Sequence, residues 1–323
     1  MPQLKEERER FHIGQIINKM GLLLVLVIFV LIMTILTPSF MTWNNIRNLL
    51  VQSTVLATLS LGVTFVIITG GIDLSVGSVE AFSAAIGLDL IVNHNVPIPL
   101  GIIIILLIGL GFGLLNGVSV TLLGIPPMIA TLATMSIARG AVLVYTNSAN
   151  IYAPESFSTL TSNYFLGLPY IVWLVAILAV VAWLLLSKTV FGRSVYAVGG
   201  NELAAKLAGI RTKRVVTLTY MISGLTAAIA GILLTVRLES AGPNAGDGVE
   251  MNVIAAVVIG GTSLFGGRGT IIGTIVGMIL ITLISNAVHL LGIPPSWDKI
   301  VKGVVIFCAA LYDASRNRLN QQA

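Results

Sequence analysis

The chain has 323 residues, of which 56% are hydrophobic and 10% charged, and its mean hydropathy is +0.99. A soluble domain carries about 25% charged residues, so composition excludes an ordinary water-soluble globular fold. A net charge of +5 would raise the question of nucleic acid in a soluble protein, but in a chain this apolar the Lys and Arg residues serve as markers of membrane topology and no nucleic-acid partner is expected.

In chain order, residues 1–19 are a charged leader of mixed sign, with Glu6, Glu7 and Glu9 among Lys5, Arg8 and Arg10. The apolar run from Gly21 to Leu36 leads into Thr37-Pro38-Ser39-Phe40 rather than a small-residue cleavage site, so it is expected to be retained as a first span. Stretches without Asp, Glu, Lys or Arg then recur at 48–72, 90–138, 156–187, 215–236, 251–267 and 270–297. A membrane helix needs about 20 apolar residues. Hydropathy, punctuated by Gly and Pro, predicts spans at 20–37, 48–69, 76–92, 99–122, 127–146, 169–187, 214–236, 251–265, 270–290 and 298–312. The expected fold is all-α, a polytopic transmembrane helix bundle of about ten spans, with a single transmembrane domain over 1–323. The one cysteine, Cys308, rules out an intrachain disulfide and reads as a small buried apolar residue.

Basic residues fix the orientation. Lys5, Arg8, Arg10 and Lys19 precede the first span; Lys188, Arg193, Lys206, Arg211, Lys213 and Arg214 cluster near 188–214; Arg316 and Arg318 lie in a tail at 313–323. The positive-inside rule puts all three groups, and both termini, in the cytoplasm. The Ser-, Thr- and Asn-rich segment 147–168 has no Lys or Arg and falls outside.

The strongest local signal is Thr69-Gly70-Gly71-Ile72-Asp73-Leu74-Ser75-Val76-Gly77-Ser78. Glycines let the chain break between helices, and Asp73 or Ser75 is placed to cap the third span. The same residues fit a broken helix beside a translocation path, where non-helical backbone is tolerated if it lines protein or water. Gly260-Gly261-Thr262-Ser263-Leu264-Phe265-Gly266-Gly267 shares the pattern GGxxLxxG, which raises an internal repeat. Glycines at 109, 113 and 117, and again at 269, 273 and 277, fall on single helical faces and suit close helix packing. Gln52, Asn116, Arg139, Asn252 and Asn286 are candidates for a hydrophilic route; Arg139 is also placed to snorkel outward, and Asn116 and Asn286 to bridge helices. Glu80 and Asp89 are the remaining carboxylates within predicted spans.

Residues 199–210 read as a short cytoplasmic helix, with Asn201 as N-cap, Glu202 in the first turn, Leu203 and Leu207 on one face and Gly209 as its stop. Such a helix is either a cover or a docking knob.

The motif at 70–78 resembles the permease subunits of bacterial ABC sugar importers, of the ribose-permease type. Also similar are Ile129-Ala130-Thr131-Leu132, Arg139-Gly140, Val144-Tyr145-Thr146, Phe191-Gly192-Arg193, Tyr196-Ala197-Val198-Gly199-Gly200-Asn201-Glu202 and Ala255-Ala256-Val257-Val258-Ile259-Gly260-Gly261-Thr262-Ser263-Leu264. The resemblance implies a subunit of the bacterial inner membrane that imports a monosaccharide, ribose first. Its partners would be a second permease copy, a cytoplasmic ABC ATPase, an extracytoplasmic sugar-binding protein and membrane lipid. It also implies that 188–213 is the coupling loop, with Gly200, Asn201, Glu202, Ala204, Ala205 and Gly209 meeting the ATPase, and Leu203 inserted into the family's Glu-Ala-Ala pattern. Gly70, Gly71, Asp73, Ser75, Asn116, Arg139, Asn252 and Asn286 remain the candidates for the pathway or broken helix. No Gly-x-x-x-x-Gly-Lys-Ser/Thr motif, metal cluster or nucleophile–base pair is present in the sequence. The chain is thus expected to be no enzyme and to hold no cofactor, with ATP and Mg bound by the partner. Open alternatives are another cargo (an autoinducer sugar, a nucleoside, a branched-chain amino acid) or an ion-coupled secondary transporter.

Overall fold

A computed structural model describes residues 23–154, 157, 162–294, 296–305, 307, 308 and 311. The leader 1–19 and the tail 313–323 lie outside them. The helices in chain order are α1 (Leu23–Leu36), α2 (Trp43–Ile68), α3 (Val76–Val92), α4 (Ile98–Thr121), α5 (Pro127–Tyr145), α6 (Tyr170–Lys188), α7 (Val190–Gly200), α8 (Glu202–Leu207), α9 (Thr212–Leu238), α10 (Val249–Ile259) and α11 (Ile271–Leu290). Residues 296–305 are also helical.

Local chemistry sets several boundaries. Thr42 accepts a hydrogen bond from the Asn45 N–H and caps α2. Prolines open α4 and α5, where the first turn lacks an intrahelical acceptor for the missing N–H. Thr189, in extended backbone, bends α6 into α7, and its hydroxyl accepts from the Gly192 N–H.

Six described helices, α2, α4, α5, α6, α9 and α11, are long and apolar enough to cross a membrane. The chain is a multi-pass membrane protein. The remaining predicted spans are shorter among the described residues. At 1.5 Å per residue, the 17-residue α3 is about 25 Å long and the 11-residue α10 about 16 Å, against a hydrocarbon core of about 30 Å. The span predicted over 251–265 is therefore corrected: the helix stops at Ile259, because Gly260 and Gly261 turn the chain out of it. Both short helices abut a glycine motif, α3 after the one at 70–71 and α10 before the one at 260–261.

In the apolar window of α2, 83% of residues are buried, and in that of α11, 67%; the windows of α4 and α6 are each 22% buried. Thus α2 and α11 belong to the centre, and α4 and α6 present broad apolar faces to lipid. Glycines make the close contacts. Gly109 meets the Gly224 carbonyl, Gly113 that of Tyr220 and Gly117 the Thr217 backbone, so α4 lies against α9 with no side chain between them. Gly273 and Gly277 bring α11 against Gly260 and Ala256 of α10 in the same way. Cys308 is exposed rather than buried, because the apolar helix it belongs to turns that position outward.

On the side assigned to the exterior, β1 (Ile151–Tyr152) pairs antiparallel with β4 (Ser240–Ala241), and β2 (Tyr164–Phe165) with β3 (Leu168–Pro169).

Candidate functional site

Three features stand out: a break between α2 and α3, the α7–α8 segment lying on it, and a cavity among α2, α9, α10 and α11.

The break begins at Gly70, whose φ of +81° ends α2. The Gly70 N–H donates to the Ile67 carbonyl at 2.9 Å and the Gly71 N–H to Val66 at 3.0 Å, closing the last turn. Residues 71–75 then run without helical structure to α3. Such backbone is costly at membrane depth unless its polar groups are met, and here they are. Thr131 donates to the Ile72 carbonyl at 3.2 Å, and the Tyr220 hydroxyl donates to it at 3.4 Å. Asp73 is 1% exposed, and its carboxylate accepts from the Ser75 N–H (3.0 Å), the Ser75 hydroxyl (2.6 Å) and the Ser223 hydroxyl (2.7 Å). Asn116 donates to the Ser75 oxygen at 2.9 Å and accepts from Thr134 at 2.7 Å. One connected network therefore ties the break to α4, α5 and α9. Ser75 occupies the N-cap position of α3 but makes no side-chain cap, since its hydroxyl is committed to Asp73. This corrects the capping role expected of it.

The second glycine motif closes its helix with the same pair of bonds, Gly261 N–H to Val258 at 2.9 Å and Thr262 N–H to Val257 at 3.2 Å. Its φ of +87° falls at Gly261, so the conformational equivalent of Gly70 is Gly261, one residue later than the aligned letters suggest. The two motifs touch: the Gly267 N–H donates to the Ile68 carbonyl at 2.8 Å.

The end of α7 lies on that junction. A β-carbon at Gly199 would overlap the Ile68 carbonyl oxygen and stand 2.6 Å from the Gly267 nitrogen. Tyr196 donates to the Gly269 carbonyl at 2.7 Å, and burial pushes its phenol up, so it stays protonated and a donor. Gly200 ends α7 and α8 begins at Glu202 after the Asn201 N-cap, so the short helix expected within 199–210 is present, while Gly199 and Gly200 belong to the helix before it. The Asn201 side chain accepts from the Ala204 N–H at 2.9 Å, as its capping role requires. Ala205 is buried beneath, while Leu203 and Leu207 are 69% and 81% exposed. Gly209, at φ +84°, ends the turn.

Toward the other face, Arg139 does not snorkel. Its guanidinium donates to the carbonyls of Pro243 and, at 2.8 Å, Ala245, and so clamps the loop between β4 and α10. Two well-placed carbonyls answer its donors better than an extended reach to water would. Glu80 lies beneath this loop, against Gly246. It is fully buried, neither of its oxygens has a hydrogen-bond partner among the described residues, and Arg139 and Arg237 are its nearby countercharges. Asn286 pairs reciprocally with Asn45 at 2.9 and 3.1 Å and joins α11 to the start of α2. Asn252 and Gln52 instead line a cavity of about 600 Å³ among α2, α9, α10 and α11.

The sequence candidates therefore separate. Gly70, Gly71, Asp73, Ser75 and Asn116 come together at the break; Gly200, Asn201, Glu202, Ala204, Ala205 and Gly209 form the turn between α7 and α9; Asn252 faces the cavity; and Asn286 and Arg139 hold other elements in place. Thr134, Tyr220 and Ser223 were not singled out by sequence reasoning, and nothing in their local pattern marks them. Thr282, Ser285 and His289 were also missed, although their i, i+3, i+7 spacing puts them on one helical face. Among the described residues no cluster of His, Cys, Asp or Glu is arranged to hold a metal ion.

Residues 45–310 match the family of permease components of branched-chain amino acid transport systems. The chain is 44% identical over 318 residues to a ribose import permease protein of Bacillus subtilis, covering 98% of each chain. It is 40% identical over 315 residues to a ribose import permease protein of Haemophilus influenzae, covering 96% of this chain and 97% of that one. An L-arabinose ABC transporter permease protein of Azospirillum brasilense is 36% identical over 311 residues, 96% of this chain and 91% of its own. No solved structure matches the chain.

Proposed function

We propose, from the premise that this chain belongs to the family of permease components of branched-chain amino acid transport systems and is a transport subunit rather than an enzyme, that it forms the membrane pathway of an ATP-driven importer whose cargo is ribose. The ribose assignment rests on the full-length likeness to ribose import permeases at 40–44% identity, above the 36% to the L-arabinose permease. The same likeness to import permeases disfavours an ion-coupled carrier. In our reading the chain acts in the bacterial inner membrane with both termini cytoplasmic, as about ten membrane segments. It pairs with a second copy, takes sugar from an extracytoplasmic binding protein, and leaves ATP and Mg to the partner ATPase.

The observation that carries the mechanism is the cytoplasmic turn at Asn201. Leu203 and Leu207 point out from α8, and Gly199 just before it touches the Ile68 carbonyl directly. Two exposed leucines on a polar face are what a groove in a partner would cover, and movement of that groove would reach the α2–α3 break through backbone contact. Glu202 in the first turn of α8 is proposed to meet the ATPase. Reconstitution with ATPase and binding protein tests the whole reading: ribose-loaded binding protein should stimulate ATP hydrolysis, and Glu202→Lys should abolish that stimulation with folding unchanged. Unaltered stimulation in Glu202→Lys sinks the coupling assignment. Stimulation of the parent by another sugar and not by ribose sinks the cargo.

A further inference from the structure

We propose that the cavity among α2, α9, α10 and α11 is a sugar-binding station inside each permease chain, where a neutral monosaccharide rests on its way inward. This rests on the importer reading above and gives it a location and a ligand chemistry. The cavity, about 600 Å³, lies within the range of small-molecule sites, about 300–1,000 Å³. Its walls come from α2, α9, α10, α11 and the helix at 296–305 of one chain. Gln52 projects from α2, Asn252 from α10, Arg237 from the end of α9, and Thr282, Ser285 and His289 from α11.

The chemistry of these groups selects the ligand. The Gln52 and Asn252 amides both donate and accept, and the Thr282 and Ser285 hydroxyls, which donate to the Met278 and Ile281 carbonyls, keep lone pairs to accept, which is what a polyol needs and what lipid chains do not. The cations do not argue for an anionic ligand. Lys302, also in the wall, is paired with Asp298 at 2.6 Å, and Arg237 donates to the Gln52 carbonyl at 3.2 Å and has Glu80 as a countercharge. Val51, Leu56, Leu238, Val249 and Ile281 also form part of the wall, and among the described residues no Trp, Tyr or Phe lines the space. The site therefore offers aliphatic contacts and hydrogen bonds without a stacking platform, which suits brief occupancy better than tight retention. Gln52 and His289 are exposed at its mouth, and Thr282 is buried at its floor. By the orientation given by the basic loops, the cavity lies in the outer half of the bundle, beside the loop clamped by Arg139.

The test uses the complete importer in proteoliposomes with ATPase, binding protein and ribose. Ser285→Cys in a Cys308→Ser background is treated with a bulky, membrane-impermeant thiol reagent. Modification should reduce ribose uptake at least about tenfold while ATP hydrolysis stimulated by loaded binding protein stays within about twofold, because the route is blocked and the docking faces are untouched. Failure to react, reaction only with a lipid-soluble reagent, or reaction with uptake unchanged each overturns the station. A second measurement reads hydrogen bonding rather than blockage. The ratio of ribose to 2-deoxyribose uptake is compared between the parent and Asn252→Leu and Gln52→Leu, with one binding protein throughout so that its own selectivity cancels. The ratio should fall about fivefold in at least one variant, the worth of one net hydrogen bond; an unchanged ratio in both overturns the contact with sugar. If the parent imports a different monosaccharide and not ribose, the cargo reading fails, and the same blockage and deoxy-analogue ratios with that sugar still decide the station.

Discussion

Gly199 and Gly200 are neighbours at the end of α7, and the structure assigns opposite outcomes to replacing them with alanine. At Gly200 a β-carbon meets nothing within 4 Å. Gly200→Ala should be neutral or raise stability, by at most about 1 kcal/mol, the helix-propensity difference between the two residues. At Gly199 the β-carbon would overlap the Ile68 carbonyl oxygen and lie 2.6 Å from the Gly267 nitrogen, below the 3.0 Å under which real β-carbons are not found. Both obstacles are backbone, so no side chain can swing away. Overpacking of this kind costs about 1–3 kcal/mol. Separating the segments also breaks the 2.8 Å bond from Gly267 to Ile68, a net loss of about 0.5–1.5 kcal/mol. Set against the same helix gain of about 1 kcal/mol, Gly199→Ala should destabilise by about 0.5–3.5 kcal/mol. In detergent this is a melting midpoint lower by roughly 1–5 °C for a chain of this length, and in proteoliposomes a loss of uptake per ATP hydrolysed. Equal midpoints and equal coupling for the two variants would refute the reasoning, since only the backbone contact distinguishes them.

Asp73→Asn keeps the shape but presents an amide to a site whose bonds are all donated inward, and should lower the midpoint by the equivalent of about 1–3 kcal/mol; Ser223→Ala, which removes one of the three donors, should cost less, and the reverse order would count against the network. Asn45→Ala and Asn286→Ala, alone and together, should give a coupling energy of about 0.6–1.7 kcal/mol in a double-mutant cycle with uptake per folded protein unchanged; reduced uptake at an unchanged midpoint would return Asn286 to the pathway. Glu80→Gln replaces a buried carboxyl whose oxygens have no hydrogen-bond partner among the described residues, while Arg139 and Arg237 keep their carbonyl partners. Its midpoint should therefore be unchanged or higher, and a lower one would mean that the two arginines need the carboxylate.

Much of the helical content was legible because lipid demands it: long apolar runs without charge become helices wherever the backbone must satisfy itself. The ends of α10 were not legible in the same way. No charged residue follows Ile259 until Arg268, yet the chain leaves the helix at Gly261 because a residue with φ +87° cannot continue it. The break at Gly70 was visible from its glycines, but the partners that stabilise it were not. Asn116, Thr134 and Ser223 lie 41, 59 and 148 residues beyond Ser75 on three other helices, and only packing brings them to it. Arg139 misled for a related reason. Sequence gives the cost of burying a guanidinium, and the carbonyls that meet that cost belong to a loop more than 100 residues away.

Charge and glycine divide the two ends of the bundle between them. At one end, Gly199, Gly266 and Gly267 bring three backbones together where α7, α2 and the second glycine motif meet. A contact made by main chain alone has no rotamers to absorb displacement, so any displacement of α7 there would bear on both glycine breaks at once. At the other end the corresponding loop is held by the long side chain of Arg139, which has a buried carboxylate near it as well as the carbonyls it engages. Such a clamp can exchange partners without the helices separating. The stiff joint therefore lies at the α7 end of the bundle, and the adaptable one beside the cavity.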